Sequence, residues 1–315
     1  MPASGFSIFT DADGYRNSLQ DMLDLVVLQP RDFQARLTWV ELENLRLLRA
    51  YETSPRVAYM TLPSNLVFVT FATRQGGTLI HAGAPTRFGD LNFHRRGGHG
   101  HQRTTAASHW GSVALTPSCL MAFGRAICGQ ALVAPSVDQV VRPRRADWQR
   151  FLRLHAQAGR IAESSLGRIL HKEVARALEQ DLIWALVNCL TAGTVQTVPD
   201  VTQRQASISV PLETMLAAHP GRPLRVREAC RATGVSQRTL RASCLALLGM
   251  GLGDYQRLRR LKLARVELTK AATVDSLEVV KRYGFADLHR FVTDYWNAYG
   301  EMPPIPPRAA ADRCM

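Results

Sequence analysis

The stretch from Leu224 to Gly300 uses one local pattern twice, and no other feature of the chain restricts its fold as tightly. Around Gly234-Val235-Ser236-Gln237-Arg238-Thr239-Leu240-Arg241, a short helix with Val226, Ala229 and Cys230 on one face meets a glycine, the residue that most easily ends a helix in the left-handed conformation. Ser236 then stands where its hydroxyl can cap a second helix. That helix sets Leu240, Cys244, Leu247 and Leu248 at core spacing and leaves Gln237, Arg238, Arg241 and Ala242 facing outward. Later, Ser276 to Tyr283 reads as a helix stopped at Gly284-Phe285, and Asp287 as the cap of a helix through Phe291, Tyr295 and Trp296, closed by Gly300. Between the two lie Tyr255, Leu258, Leu261, Ala264, Arg265 and Leu268, which describe one long amphipathic helix from Asp254 to Lys270. The expectation is two helix-turn-helix units held apart by a helical strut.

These residues resemble a family. Val235 through Leu240, Leu248-Gly249, Tyr255, Arg260-Leu261, Ala264-Arg265, Tyr283-Gly284-Phe285, Phe291, Tyr295 and Tyr299 through Pro303 look like the DNA-binding domain of AraC/XylS-type transcriptional regulators. Many positions at matching spacing make this far more specific than a lone helix-turn-helix. Departures are Cys244 where the family usually has Phe, Leu252 where it has Pro, Val280 where it has Ala and Thr293 where it usually has Arg. The resemblance implies that Ser236, Gln237, Arg238, Thr239, Arg241 and Ala242 face double-stranded promoter DNA in the first unit, and Leu288, His289, Arg290 and Thr293 in the second. The residue types suit that role. Arginine can bridge guanine O6 and N7, hydroxyls reach phosphates or bases, and Leu288 can offer only an apolar contact.

Charge points the same way. The 315 residues carry a formal net charge of +13, which favours an anionic partner. Residues 209–315 hold 17 Lys and Arg against 10 Asp and Glu, whereas the first 208 hold 22 against 16, so the C-terminal third is the more basic per residue. With 46% hydrophobic and 21% charged residues over this length, the composition suits two soluble domains. Six cysteines without C-x-x-C spacing fit a reducing cytoplasm. Met1 to Gln20 lacks the basic-then-apolar pattern of a signal peptide, and the apolar region Ala114 to Ala134 is interrupted by Pro117 and Arg125, so no membrane association is expected.

Ahead of the reader the pattern is β-like. Phe33, Ala35, Leu37 and Trp39 alternate with polar neighbours, Arg56–Leu62 and Leu66–Phe71 are short β-type runs, and Gly76-Gly77 offers a hairpin turn into Thr78 to Ile80. From Pro143 to Gly193 the spacing is helical, with Trp148, Phe151, Leu152 and His155 on one segment and Leu170, Val174, Leu178, Leu182, Leu186 and Leu190 on another. The second stripe serves equally as intrachain core or as a dimer seam. The expected fold class is α+β: a β-rich regulatory or dimerisation domain over 1–142, a helical connector over 143–193, a linker over 194–207 and an all-α domain of two helix-turn-helix units over 208–308. The family resemblance implies that the β-rich domain is of a cupin-like kind.

Other constellations are weak. His99 and His101 can point the same way from one strand, as metal-binding cupins require, but Thr105 stands where a carboxylate is needed and no Asp or Glu lies between Asp90 and Asp138. Gly249-Met250-Gly251-Leu252-Gly253 follows a helix and lacks a Lys-Ser/Thr ending, so it reads as a helix junction. No G-x-S-x-G, H-E-x-x-H or paired-carboxylate site nominates a nucleophile or base. The expected function is a sequence-specific DNA-binding transcriptional regulator with no catalytic residues, no metal and no cofactor. RNA polymerase, a homodimeric second copy and a small-molecule effector stand as further candidate partners that the sequence does not identify. The rival is a cupin-like metal enzyme with a basic DNA-tethering tail.

Overall fold

The computed structural model describes residues 2–19, 22–164, 171–196, 200–270 and 275–305. The chain begins with β1 (Ala3–Phe9), α1 (Ala12–Ser18), β2 (Leu23–Val27), a 3-10 turn at Pro30–Asp32, β3 (Ala35–Glu41), β4 (Leu45–Glu52), β5 (Arg56–Thr61) and β6 (Val67–Ala72). It continues through β7 (Leu79–His81), β8 (Ala84–Thr86), β9 (Leu91–Phe93), β10 (His99–Thr104), β11 (Ser108–Leu115), α2 (Pro117–Cys128), β12 (Gln139–Arg142), α3 (Arg145–Ser164) and α4 (Lys172–Thr191). The remainder is β13 (Thr194–Gln196), α5 (Asp200–Ala206), α6 (Ser209–Ala218), α7 (Val226–Thr233), α8 (Gln237–Leu248), α9 (Leu252–Lys270), α10 (Ser276–Arg282) and α11 (Leu288–Tyr299). The α+β class and the order of β-rich part before helical part are as expected.

Two antiparallel sheets form the N-terminal part. The large one runs β1-β3-β4-β11-β6-β9-β12-β13 and the small one β2-β5-β10-β7-β8. Alternation along the strands separates their faces. Ala35 and Leu37 of β3, Ala50 of β4 and Trp110 of β11 meet Leu23, Leu25, Val27, Ala58 and Met60 of the small sheet. Val40, Leu45, Leu47, Val69, Phe71 and Val113 point the other way, onto α3 and α4. The large sheet is therefore buried on both faces, and the helices cover its outer one.

This packing decides the open question about the connector. Leu178, Leu182 and Leu186 are buried within their own chain, so their stripe is intrachain core and not a dimer seam. Val174 departs from the stripe and is exposed, and Leu170 lies outside the described residues. Trp184, on the far side of α4, is 41% exposed and carries the Arg150 guanidinium over its ring at 4.3 Å.

Two further expectations change. Gly76-Gly77 does not make a hairpin: β6 belongs to the large sheet and β7 to the small one, so the segment carries the chain across the sandwich. Its glycines fit a close approach, since a Cβ on Gly77 would stand 2.9 Å from the Ala107 carbonyl oxygen. The stretch read as a linker is partly regular. Its first residues form β13, which pairs with β12 at the edge of the large sheet, and α5 follows. Loss of apolar periodicity marks an edge strand of three residues as readily as a loop.

A polar cluster sits between the sheets. The buried carboxylate of Glu52 accepts from Tyr15 Oη at 2.7 Å, Arg56 Nε at 2.7 Å, Trp110 Nε1 at 2.8 Å and Ser108 Oγ at 3.1 Å, so its charge is both paired and hydrogen-bonded.

On the helical side, buried His155 of α3 bonds the Leu48 carbonyl through Nε2 at 3.1 Å and faces Arg49 through Nδ1 at 3.4 Å. Burial first, and the Arg49 charge second, push its pKa down from 6.5 to about 3. The unfolded chain takes up this proton at a pH at which the folded chain does not, so the contribution is complete above about pH 6.5 and is lost as pH falls toward 3. We expect this group to remove about 4–5 kcal/mol across that window. Urea unfolding at stepped pH should show a correspondingly flatter profile for His155→Gln; parallel profiles for the variant and the wild type would place the proton uptake elsewhere.

Candidate nucleic-acid interface

The C-terminal helices form two small cores on one shared helix. Ile208 just before α6, Leu212 and Leu216 of α6, Ala229 of α7, and Leu240, Cys244, Leu247 and Leu248 of α8 pack with Leu252 and Tyr255 at the start of α9. Leu261, Ala264 and Leu268, further along α9, pack with Val279 and Val280 of α10, Phe285, and Phe291 and Tyr295 of α11. α9 is thus the strut, entered two residues earlier than its spacing predicts.

Local signals set both turns. Gly234 adopts φ 68° and ends α7, while Ser236 Oγ accepts the Thr239 backbone N–H at 3.2 Å and starts α8. In the second unit Gly284 has φ 71°, and Asp287 Oδ1 accepts the Arg290 N–H at 3.2 Å to start α11. One expected core position fails: Val226 is exposed, because α7 is short and buries little beyond Ala229.

Ser236, Gln237, Arg238, Thr239, Arg241 and Ala242 are all exposed along the first turns of α8. The Thr239 and Ser236 hydroxyls lie 3.0 Å apart, so both belong to the cap. Among the described residues, the Arg238 and Arg241 guanidiniums make no ion pair or hydrogen bond within the chain. Most arginines nearby differ: Arg222 pairs with Glu228, Arg257 with Asp294, Arg265 with Glu301 and Arg282 with Glu267. Arg227 and Arg231 on α7, one helical turn apart and exposed, are likewise unpaired, and sequence reading passed over them. Their spacing of four residues was the available signal.

On α11, His289, Arg290 and Thr293 are exposed, but Leu288 is half-buried against the second core and is not the fully outward residue expected. The Thr293 hydroxyl donates back to the His289 carbonyl at 3.0 Å. Two helix starts therefore lie open, the first with two free guanidiniums and the second with one guanidinium and an imidazole.

The reader is seated on the outer face of the small sheet. Val26 of β2 and Val57 of β5 join the first helical core, and Arg103 Nε of β10 bonds the Ala246 carbonyl of α8 at 3.2 Å. At the centre lies Glu213 of α6. It accepts from Tyr255 Oη at 2.8 Å and His101 Nε2 at 2.9 Å, and it pairs with Arg259. Burial alone would raise its pKa; the His101 hydrogen bond and the Arg259 charge outweigh that and hold it at about 2. Asp24 of β2 adds ion pairs to Arg259 and to Lys262, whose ammonium also donates to the Leu25 carbonyl at 3.0 Å. His101 bonds Ser209 through its other nitrogen at 3.1 Å, so neither ring nitrogen is open to a metal, and His99 is exposed. The His99–His101 ligand pair, a weak candidate in the sequence, does not form.

Instead, His81, His94 and Asp138 come together, with donor atoms all within 4.8 Å of one another. Nothing local links residues so far apart in sequence. Among the described residues no helix is long and apolar enough to cross a membrane, and Cys119, Cys128, Cys189, Cys230 and Cys244 are free thiols.

Residues 229–304 match the family model described as "Helix-turn-helix domain". Over 90 residues the chain is 32% identical to the "Probable thc operon regulatory protein" of Rhodococcus erythropolis, covering 28% of this chain and 27% of that protein, so it aligns with about a quarter of the relative's length. Among solved structures, the AraC-like transcriptional activator CuxR overlays on 84% of this chain and 96% of its own at 16% identity and a TM-score of 0.45. ToxT from Vibrio cholerae overlays on 83% of this chain and 97% of its own at 10% identity and a TM-score of 0.29. At such scores the overlays add nothing to the fold described above. The paired, glycine-stopped and side-chain-capped units on α9 and the match over residues 229–304 make the C-terminal part of this chain a helix-turn-helix domain, as its sequence resemblance to AraC/XylS-type regulators implies.

Proposed function

We propose that this chain is a cytoplasmic, sequence-specific DNA-binding transcriptional regulator that reads promoter DNA through α8 and α11, with the N-terminal sandwich modulating that reading. The observation that carries it is the pair of exposed helix starts on one strut, with Arg238 and Arg241 left unpaired in a domain whose other arginines are mostly engaged. In a helix-turn-helix the N-terminal residues of the second helix enter the major groove while the first helix crosses the backbone. Arg227 and Arg231 on α7 are then phosphate contacts, and Arg238 and Arg241 are base contacts. We take the sandwich over 1–142 and the helices over 143–193 as one regulatory body, because α3 and α4 complete its core, with the reader beginning near 208. Modulation runs through the seam at Asp24, His101, Glu213, Arg259 and Lys262.

Binding-site selection with the full chain tests the reading. A single enriched motif is expected, with affinity falling with salt at a log–log slope of about −0.9 per neutralised phosphate. Enrichment of no motif would remove sequence-specific reading. In the same assay, folded His101→Gln should shift affinity for the selected site several-fold, whereas unchanged affinity would count against modulation across the seam.

A further inference from the structure

Three residues that the DNA reading does not use converge where the two sheets and the segment before β12 meet. His81 closes β7, His94 follows β9 and Asp138 precedes β12; both imidazoles are buried and the carboxylate is partly open. Asp138 Oδ2 lies 3.0 Å from His81 Nε2 and 3.4 Å from His94 Nδ1. The rings stand edge to face, centroids 4.9 Å apart. Tetrahedral Zn(II) with bonds of about 2.05 Å separates neighbouring donor atoms by about 3.3 Å, so both carboxylate–imidazole distances already approximate edges of one coordination polyhedron.

The surroundings support ligation. His94 Nε2 lies 2.8 Å from Thr70 Oγ1, a hydroxyl that can accept an Nε2–H once Nδ1 has given up its proton, the outer-shell bond a metal-bound imidazole uses. The second oxygen of Asp138 accepts the Arg95 N–H at 2.8 Å, which orients the carboxylate. A cavity of about 380 Å³ adjoins the cluster, lined by His81 and Asp138 and also by Ala206 and Val210, from α5 and α6. We propose that His81, His94 and Asp138 bind one divalent transition-metal ion of the Zn(II)/Co(II) class, with a fourth position open to this cavity. Two imidazoles and one carboxylate are the donor set such borderline ions favour, and the open position accepts water or a small donor ligand entering between the sandwich and the first helices of the reader. Coordination at Nδ1 of His94 and Nε2 of His81 replaces the two N–H bonds to Asp138, so binding requires each of those nitrogens to be free of its proton.

The test uses the full-length chain, stripped with chelator and titrated with Co(II) alone. One equivalent per chain is expected, with visible d–d absorption bleached by added Zn(II), and a higher melting temperature for the loaded protein. His81→Gln and Asp138→Asn should abolish stoichiometric binding, and Thr70→Val should weaken it about ten- to hundred-fold. Cys128→Ser and His99→Ala should bind as wild type, which excludes the exposed thiol and the neighbouring imidazole as ligands. Folded wild-type protein that takes up no stoichiometric Co(II) and shows no melting shift overturns the proposal without recourse to any variant. Retained affinity in both His81→Gln and Asp138→Asn overturns it equally.

Discussion

Glu213→Ala is expected to cost about 3–5 kcal/mol of folding stability, because it leaves a buried charge and two polar groups without their acceptor. The carboxylate is 4% exposed and joins three elements: His101 from β10, Tyr255 and Arg259 from α9, and its own α6. After truncation Arg259 keeps only Asp24, at 3.5 Å, and the Tyr255 hydroxyl stands buried with no acceptor. A typical domain has about 5–15 kcal/mol in total, so the loss removes a large share. Glu213→Gln should cost less, since an amide oxygen still accepts from Tyr255. Acid should imitate the truncation: with a folded pKa of about 2 against 4.5, the contribution of Glu213 is complete above about pH 4.5 and disappears as pH falls toward 2. Urea unfolding at neutral pH decides the matter, and an alanine variant within 1 kcal/mol of wild type would mean that the seam is solvated and carries little energy.

Arg238→Ala and Arg241→Ala should each remove about 1–3 kcal/mol of discrimination at one or two base pairs, a guanine being the expected partner. Three residues apart on α8, the two side chains share a face, follow directly on the Ser236 cap and have no competing partner among the described residues. The second unit is poorer in readers: Leu288 is half-buried, and the Thr293 hydroxyl is engaged by the His289 carbonyl. α8 should therefore set most of the sequence preference, with His289→Ala and Thr293→Ala weakening binding across all sequences. Site selection with each folded variant measures this directly. Arginine variants that keep the wild-type motif, with α11 variants that lose it, would reverse the assignment.

The outer face of the small sheet explains one difficulty in reading the N-terminal half. β2 and β5 are nearly continuous apolar runs, Leu-Asp-Leu-Val-Val and Arg-Val-Ala-Tyr-Met-Thr, because Leu25 and Ala58 face the sandwich while Val26 and Val57 face the reader. Alternation vanishes when both faces are covered. Local pattern shows that such strands are buried but not by what.

The sequence by itself determined the reader. Ser236 and Asp287 cap, Gly234, Gly284 and Gly300 stop, and the spacing of Leu240, Cys244, Leu247 and Leu248 builds a core, all through relations within a few residues along the chain. Such relations are written in adjacent letters and survive without tertiary context. Only the tertiary structure decided the crossing at Gly76-Gly77, the docking of sheet on reader, and the meeting of His81 with His94 and Asp138. His101 meets Glu213 across 112 residues, and Asp24 meets Lys262 across 238. No helical or strand period reaches that far: these contacts follow from which faces remained apolar once each element had formed, and from the order in which the strands paired.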